Sequence, residues 1–597
     1  MPITHVKGVK PADIAPADNL LTRLWQRGET SSKEIVRYLD GDSWRGLTWG
    51  QLADRVQALA AGLIAGGVQP GDRVALMSPT RLEWTLADLA VLAAGGVTVP
   101  IYETSSPAQC GWILSDSGAK AAIAGGAEHA KALDQAREHA PDLGEIIVID
   151  DGGLDELAER GSDAQRAEVR ERSRAVSQDD LFSIIYTSGT TGNPKGCMLT
   201  HGNMLFAARQ SEVVLSRMLA EDDSTLLFLP LAHVFARLVQ FMCLESDVQI
   251  GYARSVDTLQ EDLASFKPSF LLAVPRVFEK VFNGAQRKAG EGVKAKIFDF
   301  AVSAGREWSE AVNEGRQPGF FTNAKRGLAG RLVYSKLRDA MGGRVRYCVS
   351  GGAPLAPHLA HFFHAAGVTI LEGYGLTETS APATVNTPEA MRIGTVGQPL
   401  PGVEVRVDAD GEILIKGGNV FRGYFQNDEA SREVLTADGW FRSGDLGEID
   451  EDGFCTITGR KKEIIVTAGG KNVAPAVLEE RLKSHRLVSQ AMVVGDDKPF
   501  IGALVTLDPD ELQAFAKEHE LPDDPTELTQ HDAVRAELDK AVAYANEAVS
   551  KAESIRKFEV LERDFELERE ELTPTMKVRR SRVAANFAEA LERLYER

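Results

Sequence analysis

The chain has 597 residues, 43% of them hydrophobic, and a formal net charge of −20. That length exceeds what one hydrophobic core usually covers, so more than one domain is expected, and the acidic balance argues against a nucleic-acid-binding surface over the whole protein. Cys110, Cys197, Cys243, Cys348 and Cys455 are far apart with no C-x-x-C, which argues against a disulfide framework or a zinc site and fits a reducing, cytoplasmic compartment.

The first ten residues are too polar for the apolar core of a signal peptide. From Thr48 to Leu63 apolar residues recur at helical spacing, and Gly71–Met77 follows as a short apolar strand. The uncharged stretch Leu89–Tyr102 falls short of the roughly 18 to 20 residues needed to span a bilayer and reads as a buried helix leading into a strand. Peripheral contact with a membrane stays open. Strand-like runs recur at Ala121–Ala124, Glu145–Asp150, Leu226–Leu229 and Phe270–Val274, the pattern of parallel sheets covered by helices.

Ser183–Tyr186 is apolar and β-prone and leads into Tyr186-Thr-Ser-Gly-Thr-Thr-Gly-Asn-Pro-Lys-Gly196. A loop leaving a buried strand can offer free backbone N–H groups to phosphates. Here Gly189, Gly192 and Gly196 permit close approach, Thr187, Ser188, Thr190 and Thr191 can donate to phosphate oxygens or ligate magnesium, and Lys195 brings positive charge. The P-loop pattern G-x-x-x-x-G-K-[ST] does not fit, because the sixth position is Pro194 counted from Gly189 and Cys197 counted from Gly192.

Further along, Lys280–Ala340 is helical in pattern and rich in Lys and Arg. It reads either as a solvated helical face or as a surface for the phosphates of a ligand, a partner or anionic lipid. Gly402–Val407 and Gly411–Lys416 switch to period-two strands joined by a turn-prone Asp-Ala-Asp-Gly. After Phe454–Thr458, the runs Ala491–Gly495 and Ile501–Leu507 suggest a separate small sheet, so the domain boundary is placed near Arg460: residues 1–459, then 460–597.

The glycine-rich run closely resembles the phosphate loop of the adenylate-forming superfamily, which contains acyl-CoA synthetases, peptide-synthetase adenylation domains and luciferases. Matching motifs follow in order: Leu229-Pro-Leu-Ala-His-Val-Phe235, Val274-Pro-Arg-Val-Phe-Glu-Lys280, Ser350-Gly-Gly-Ala-Pro-Leu355, Glu372-Gly-Tyr-Gly-Leu-Thr-Glu-Thr-Ser380, Gly439-Trp-Phe-Arg-Ser-Gly-Asp-Leu446, Gly459-Arg-Lys-Lys-Glu463 and Leu572-Thr-Pro-Thr-Met-Lys577. The resemblance implies an α/β fold: a large N-terminal domain of two helix-covered mixed sheets plus a small β-barrel, then a smaller mobile α+β C-terminal domain. It also makes 280–340 look like the insertion of some long-chain synthetases.

The resemblance further implies a reaction in two halves. A carboxylate attacks the α-phosphorus of ATP and expels pyrophosphate, and coenzyme A then displaces AMP. Glu378 matches the Mg2+ ligand, with Thr187 as the second protein contact. Tyr374 lies against adenine, with Gly351, Gly352 and Ala353 nearby; Gly375 follows Tyr374, and Thr377 is nearer the α-phosphate than Thr379. Asp445, assisted by Arg460, matches the ribose aspartate. Lys577, about 20 residues from the C-terminus, is carried into the site by the small domain; Met576 stands before it where the superfamily usually has glycine. Lys462 matches the hinge, Gly469, Gly470 and Lys471 match the loop lining the thioester tunnel, and His233 positions the acyl carboxylate. The motifs resemble long-chain fatty acyl-CoA synthetases more than enzymes for acetate, aryl or amino acids. The alternatives are a fatty acyl-AMP ligase serving a carrier protein and a silent lipid-binding homologue.

Overall fold

The computed structural model describes residues 3–187, 193–220, 222–290, 292–468, 471–573 and 576–596. Two large mixed sheets dominate. In the seven-stranded sheet, Leu181–Thr187, Val97–Ile101, Arg73–Met77, Ala121–Ala124 and Ile146–Val148 run parallel, while Lys195–Thr200 and Gly423–Tyr424 add an antiparallel edge. Every residue of Val97–Ile101 is buried, as a parallel strand with helices on both faces requires. The nine-stranded sheet has a parallel centre, including Ser224–Leu227, Phe270–Ala273, Tyr347–Ser350 and Thr369–Leu376, with antiparallel strands at both ends.

Local sequence sets the helix boundaries. Thr48 caps Trp49–Ala65 in a reciprocal capping box with Gln51. The uncharged stretch Leu89–Tyr102 supplies the end of the helix Leu82–Ala93 and the strand Val97–Ile101. The five-stranded sheet ending in Phe441–Ile449 and Cys455–Arg460 is antiparallel throughout. A bridge from Ile3 to Ile449 draws its first edge back towards the fourth strand, curling it barrel-fashion. The Lys-rich segment is helical, with helices Val293–Asn313, Phe320–Ala329 and Ser335–Ala340 and a π-turn at Gly330–Tyr334.

Beyond Ile465 the chain builds its own sheets and its own cores. Val488–Val494, Ile501–Leu507 and Ile555–Val560 form a three-stranded sheet, and two apolar clusters there contain only residues from Ile465 onward. This part docks on the helix Pro275–Ala289 through two ion pairs, Arg276 to Asp508 at 3.1 Å and Arg287 to Glu511 at 3.2 Å. All five cysteines are free and buried. Among the described residues no helix is long and apolar enough to cross a membrane.

Candidate active site

The strand Leu181–Thr187 turns back into Lys195–Thr200 with Thr187 opposite Lys195, so both ends of the phosphate-loop motif emerge together at the sheet's edge. Ser188, Gly189, Thr190, Thr191 and Gly192 lie outside the described residues. The next strand, Gly423–Tyr424, pairs with Cys197 and Met198 and brings Tyr424 over the motif. The Lys195 ammonium lies 5.1 Å from the centre of the Tyr424 ring, and the Tyr424 hydroxyl donates to Glu378 Oε1 at 2.8 Å. Burial and the Glu378 charge push both the Tyr424 phenol and the Cys197 thiol up. Cys197 contacts the side chains of Thr187 and Glu378, so a hydroxyl and a carboxylate converge on one spot. That oxygen pair suits Mg2+. Among the described residues no cluster of three or more His, Cys, Asp or Glu could hold a metal, and Mg2+ characteristically takes one or two protein oxygens and completes its shell with water and phosphate.

At the other end, Asp445 and Arg460 are directly opposed in adjacent strands. Arg460 Nε is 2.8 Å from Asp445 Oδ1, and the Tyr374 hydroxyl donates to Oδ2 at 2.6 Å. Each carboxylate oxygen thus has one protein donor and keeps a second lone pair. Burial and Asp445 hold the Tyr374 phenol well above its usual range. Gly351 lies against the Phe235 ring, which an added Cβ would approach to 3.1 Å; Gly352 has φ +83°, and Ala353 beside it is exposed. Gly375 has a packing reason to be glycine: a Cβ there would lie 1.7 Å from the Ala381 carbonyl oxygen. Thr377 opens the turn that carries Glu378 and is half-buried. The buried Thr379 hydroxyl is taken up by backbone, accepting from Leu376 N–H and donating to Ala381 C=O.

Lys577 enters between these two ends. Its turn is closed by Thr573 N–H donating to Lys577 C=O at 2.8 Å and Lys577 N–H donating to Thr573 Oγ1 at 3.0 Å. Met576 has φ +61°, the left-handed conformation that glycine adopts without strain. Lys577 is exposed to solvent, yet protein atoms crowd around it. Burial lowers its pKa and Arg460 adds to this, while Asp445, Glu378 and Glu463 oppose it. The same ammonium acts on His233, whose pKa is lowered to about 4 by burial first and Lys577 second. His233 caps the helix Val234–Glu245, its Nδ1 accepting the Phe235 N–H at 3.2 Å. The imidazole is therefore neutral with its proton on Nε2.

Not every expected residue joins this cluster. Lys462 is exposed in the turn Lys461–Glu463, and Lys471 pairs with Glu553 at 3.2 Å. Among the described residues neither has a hydrogen bond or ion pair with Thr187, Glu378, Asp445 or Lys577. Gly469 and Gly470 lie outside the described residues.

Residues 25–425 match the AMP-binding enzyme family, and residues 462–597 match the AMP-binding enzyme C-terminal domain. The chain belongs to the AMP-binding enzyme family. It is 46% identical to the long-chain-fatty-acid–CoA ligase FadD15 of Mycobacterium bovis over 594 residues, 98% of each chain. It is 31% identical to the peroxisomal long chain acyl-CoA synthetase 7 of Arabidopsis thaliana, over 93% of this chain and 82% of that one. Among solved structures, the adenylation domain of a carboxylate reductase from Mycobacterium chelonae shares the fold with a TM-score of 0.76 at 23% identity, over 97% of this chain and 92% of that one.

In this AMP-binding enzyme three features escape a reading of the sequence. Tyr424 ties Glu378 to Lys195 from a two-residue strand, and nothing in its local pattern announces that. Arg237, one turn after His233, is wholly buried against Asp88, Ser183 and the rings of Trp84 and Phe182. It locks the helix bearing His233 to the strand that ends in Thr187. Its position four residues after His233, two beyond the motif Leu229–Phe235, is the one available signal. Glu372 is a buried acid on a sheet strand, and Glu480 is a half-buried acid on the helix Pro475–Lys483 of the C-terminal part. Desolvation first, with a smaller contribution from the Glu480 charge, pushes Glu372 to about 8, and desolvation pushes Glu480 to about 7.

Proposed function

We propose that this chain activates a long-chain fatty acid with ATP and then transfers the acyl group to coenzyme A. In the first half a carboxylate oxygen attacks the α-phosphorus, the α–β P–O bond breaks, and pyrophosphate leaves with the electron pair. In the second half the CoA sulfur attacks the acyl carbonyl, the thiol proton is released, the C–O bond breaks, and AMP leaves. One observation carries the reading: Asp445 is held by Arg460 at 2.8 Å and by the Tyr374 hydroxyl at 2.6 Å, Glu378 is held by the Tyr424 hydroxyl at 2.8 Å, and Lys577 is near enough for both carboxylates to act on its ammonium.

Each residue then has a task. Lys577 neutralises charge where carboxylate and α-phosphate meet, the position at which oriented positive charge lowers the barrier most. Glu378 and Thr187 hold Mg2+, which neutralises phosphate charge when bound. The motif residues Ser188 to Gly192 and Lys195 embrace the phosphates, with Thr377 at the α-phosphate. Asp445 takes the ribose hydroxyls on its remaining lone pairs, Arg460 fixes Asp445, and the anchored Tyr374 ring, flanked by Gly351, Gly352, Ala353 and Gly375, receives adenine. His233 Nε2–H donates to the substrate carboxylate, which is positioning rather than general-base work, because the other ring nitrogen is occupied.

The second half requires Lys577 to withdraw. We assign residues 460–597 to a mobile C-terminal domain turning at Arg460–Lys462, which would carry Gly469, Gly470 and Lys471 towards the pantetheine path. The described arrangement is the one suited to adenylation. The choice of a long-chain acid is supported by the 46% identity, over almost the whole chain, to a protein named as a long-chain-fatty-acid–CoA ligase. Such acids partition into bilayers, so a membrane surface is a natural source of substrate.

The test is AMP release and acyl-CoA formation with ATP, Mg2+, palmitate and CoA, with Lys577→Ala in parallel. Acyl-CoA from the parent alone is the expected result. Acyl-AMP accumulating in the presence of CoA would replace the reading with a ligase serving another acceptor, and no turnover over a panel of acids would overturn it.

A further inference from the structure

Residues 315–338 contain six basic side chains, Arg316, Lys325, Arg326, Arg331, Lys336 and Arg338, and no acid, in a chain whose net charge is −20. The helix Phe320–Ala329 and the turns after it have two distinct faces. The inner face is anchored: Arg326 stacks on Trp308 at 3.9 Å and donates to Ala365 C=O, Tyr334 donates to Ala301 C=O, and Ala329 and Leu337 are buried. The outer face is not. Phe320 and Phe321 are 81% and 79% exposed with their rings edge to face, and Leu328 and Leu332 follow at helical spacing, also exposed. Between and beyond them stand Arg331 and Lys336, exposed and with no ion-pair partner among the described residues.

A solvated helical face does not place two consecutive phenylalanines in water. Exposed apolar groups gathered in this way mark an interaction surface. The cores of protein–protein interfaces are depleted of charge, whereas here the unpaired Arg331 and Lys336 stand beside Leu328 and Leu332 on the outer face, and Lys325 nearby is paired with Glu307 at 2.9 Å. Apolar anchors at the hydrocarbon boundary with cations beside them at the headgroups are the signature of a helix lying in a bilayer surface, and two unpaired cations beside the apolar residues favour anionic lipid.

We propose that the face formed by Phe320, Phe321, Leu328, Arg331, Leu332 and Lys336 docks this protein on anionic phospholipid bilayers. The two rings insert at the level of the acyl boundary, and Arg331 and Lys336 meet the phosphates. The segment is remote in sequence from every residue assigned to catalysis, so docking and turnover are separable.

The test is co-sedimentation of the full chain with vesicles of phosphatidylcholine alone or with about one-third phosphatidylglycerol at about 0.1 M salt, where the screening length is about 10 Å. Preferential pelleting with the anionic vesicles, reduced by high salt, is expected. Phe320→Ser with Phe321→Ser lowers partitioning at least tenfold, and Arg331→Gln with Lys336→Gln lowers it roughly fivefold for each charge removed. Both variants retain the parent's melting temperature and its activity on a short, water-soluble acid. Phe321→Trp supplies a second readout, since the indole emission shifts to the blue and is quenched by brominated lipid. Equal pelleting of parent and phenylalanine variant, no preference for anionic vesicles, or no quenching of the Phe321→Trp variant beyond that of the parent would overturn the proposal. So would a lipid-free dimer that Phe320→Ser with Phe321→Ser dissociates, because the face would then belong to a second copy of this chain. Binding is read without turnover, so its outcome is independent of the acyl-CoA synthesis proposed above.

Discussion

Replacing Glu480 by Gln tests whether protonation governs docking of the C-terminal domain. Glu480, Lys483 and Ser484 of one helix face Glu279 and Asn283 of the helix Pro275–Ala289 and the segment around His358 across a small crevice. Glu372 lies within reach of the Glu480 charge, and Glu479 stands beside it. Burial raises Glu480 from 4.5 to about 7, with Lys483 offsetting part of the cost; His358 gives no help, because burial lowers its own pKa. A released domain exposes Glu480, which then ionises near its ordinary value, so docking takes up a proton between about pH 4.5 and 7. Docking is therefore favoured below that window, weakens as pH rises through it, and is level above it. A shift of about 2.5 units at 1.36 kcal/mol each caps the effect at about 3–4 kcal/mol, roughly three-hundredfold in the docked-to-released ratio. All native cysteines are buried, so Asp42→Cys and Asp523→Cys, both at exposed positions, accept dyes for single-molecule energy transfer. The parent's docked fraction should fall from pH 5 to 7 and then level off, whereas Glu480→Gln should stay flat and exceed the parent at pH 8. Superimposable pH profiles would refute the reasoning.

Arg237→Met leaves the wholly buried Asp88 without its cation and should cost about 3–5 kcal/mol in chemical denaturation, with Asp88→Asn added to it recovering part of the loss. Asp445→Asn keeps the shape but loses the charge opposite Arg460; KM for ATP should rise about tenfold or more while the melting temperature moves little. Met576 is 55% exposed at φ +61°, so Met576→Gly should retain adenylation, whereas Met576→Ile, β-branched in a left-handed position, should lose at least about tenfold in single-turnover adenylation.

Much of this site was legible because its parts are local. An apolar strand, a glycine-rich loop and a lysine can be recognised within Ser183–Gly196, and Asp445 and Arg460, though 15 positions apart, sit on neighbouring strands of a meander whose register brings them face to face. The alternation of helix and strand gave Ala121–Ala124 and Ile501–Leu507 with the bounds found in the structure. What stayed hidden depends on distant partners. Asp88 and Arg237 are separated by 149 positions and Glu378 and Tyr424 by 46; each looks like an ordinary residue until the sheets assemble.

Gly375 shows a second kind of blindness. Its motif suggests a role at the nucleotide, yet the neighbouring Ala381 carbonyl alone already forbids a side chain there. A motif glycine can therefore be fixed by the scaffold that holds the ligand as well as by the ligand. His233 shows a third. Sequence placed a histidine at the carboxylate but could not say which nitrogen carries its proton. The cap on Phe235 decides that, and burial beside Lys577 keeps the ring neutral. Together they turn a residue type that could act as acid, base or metal ligand into a fixed hydrogen-bond donor, which is what a carboxylate awaiting attack on phosphorus needs.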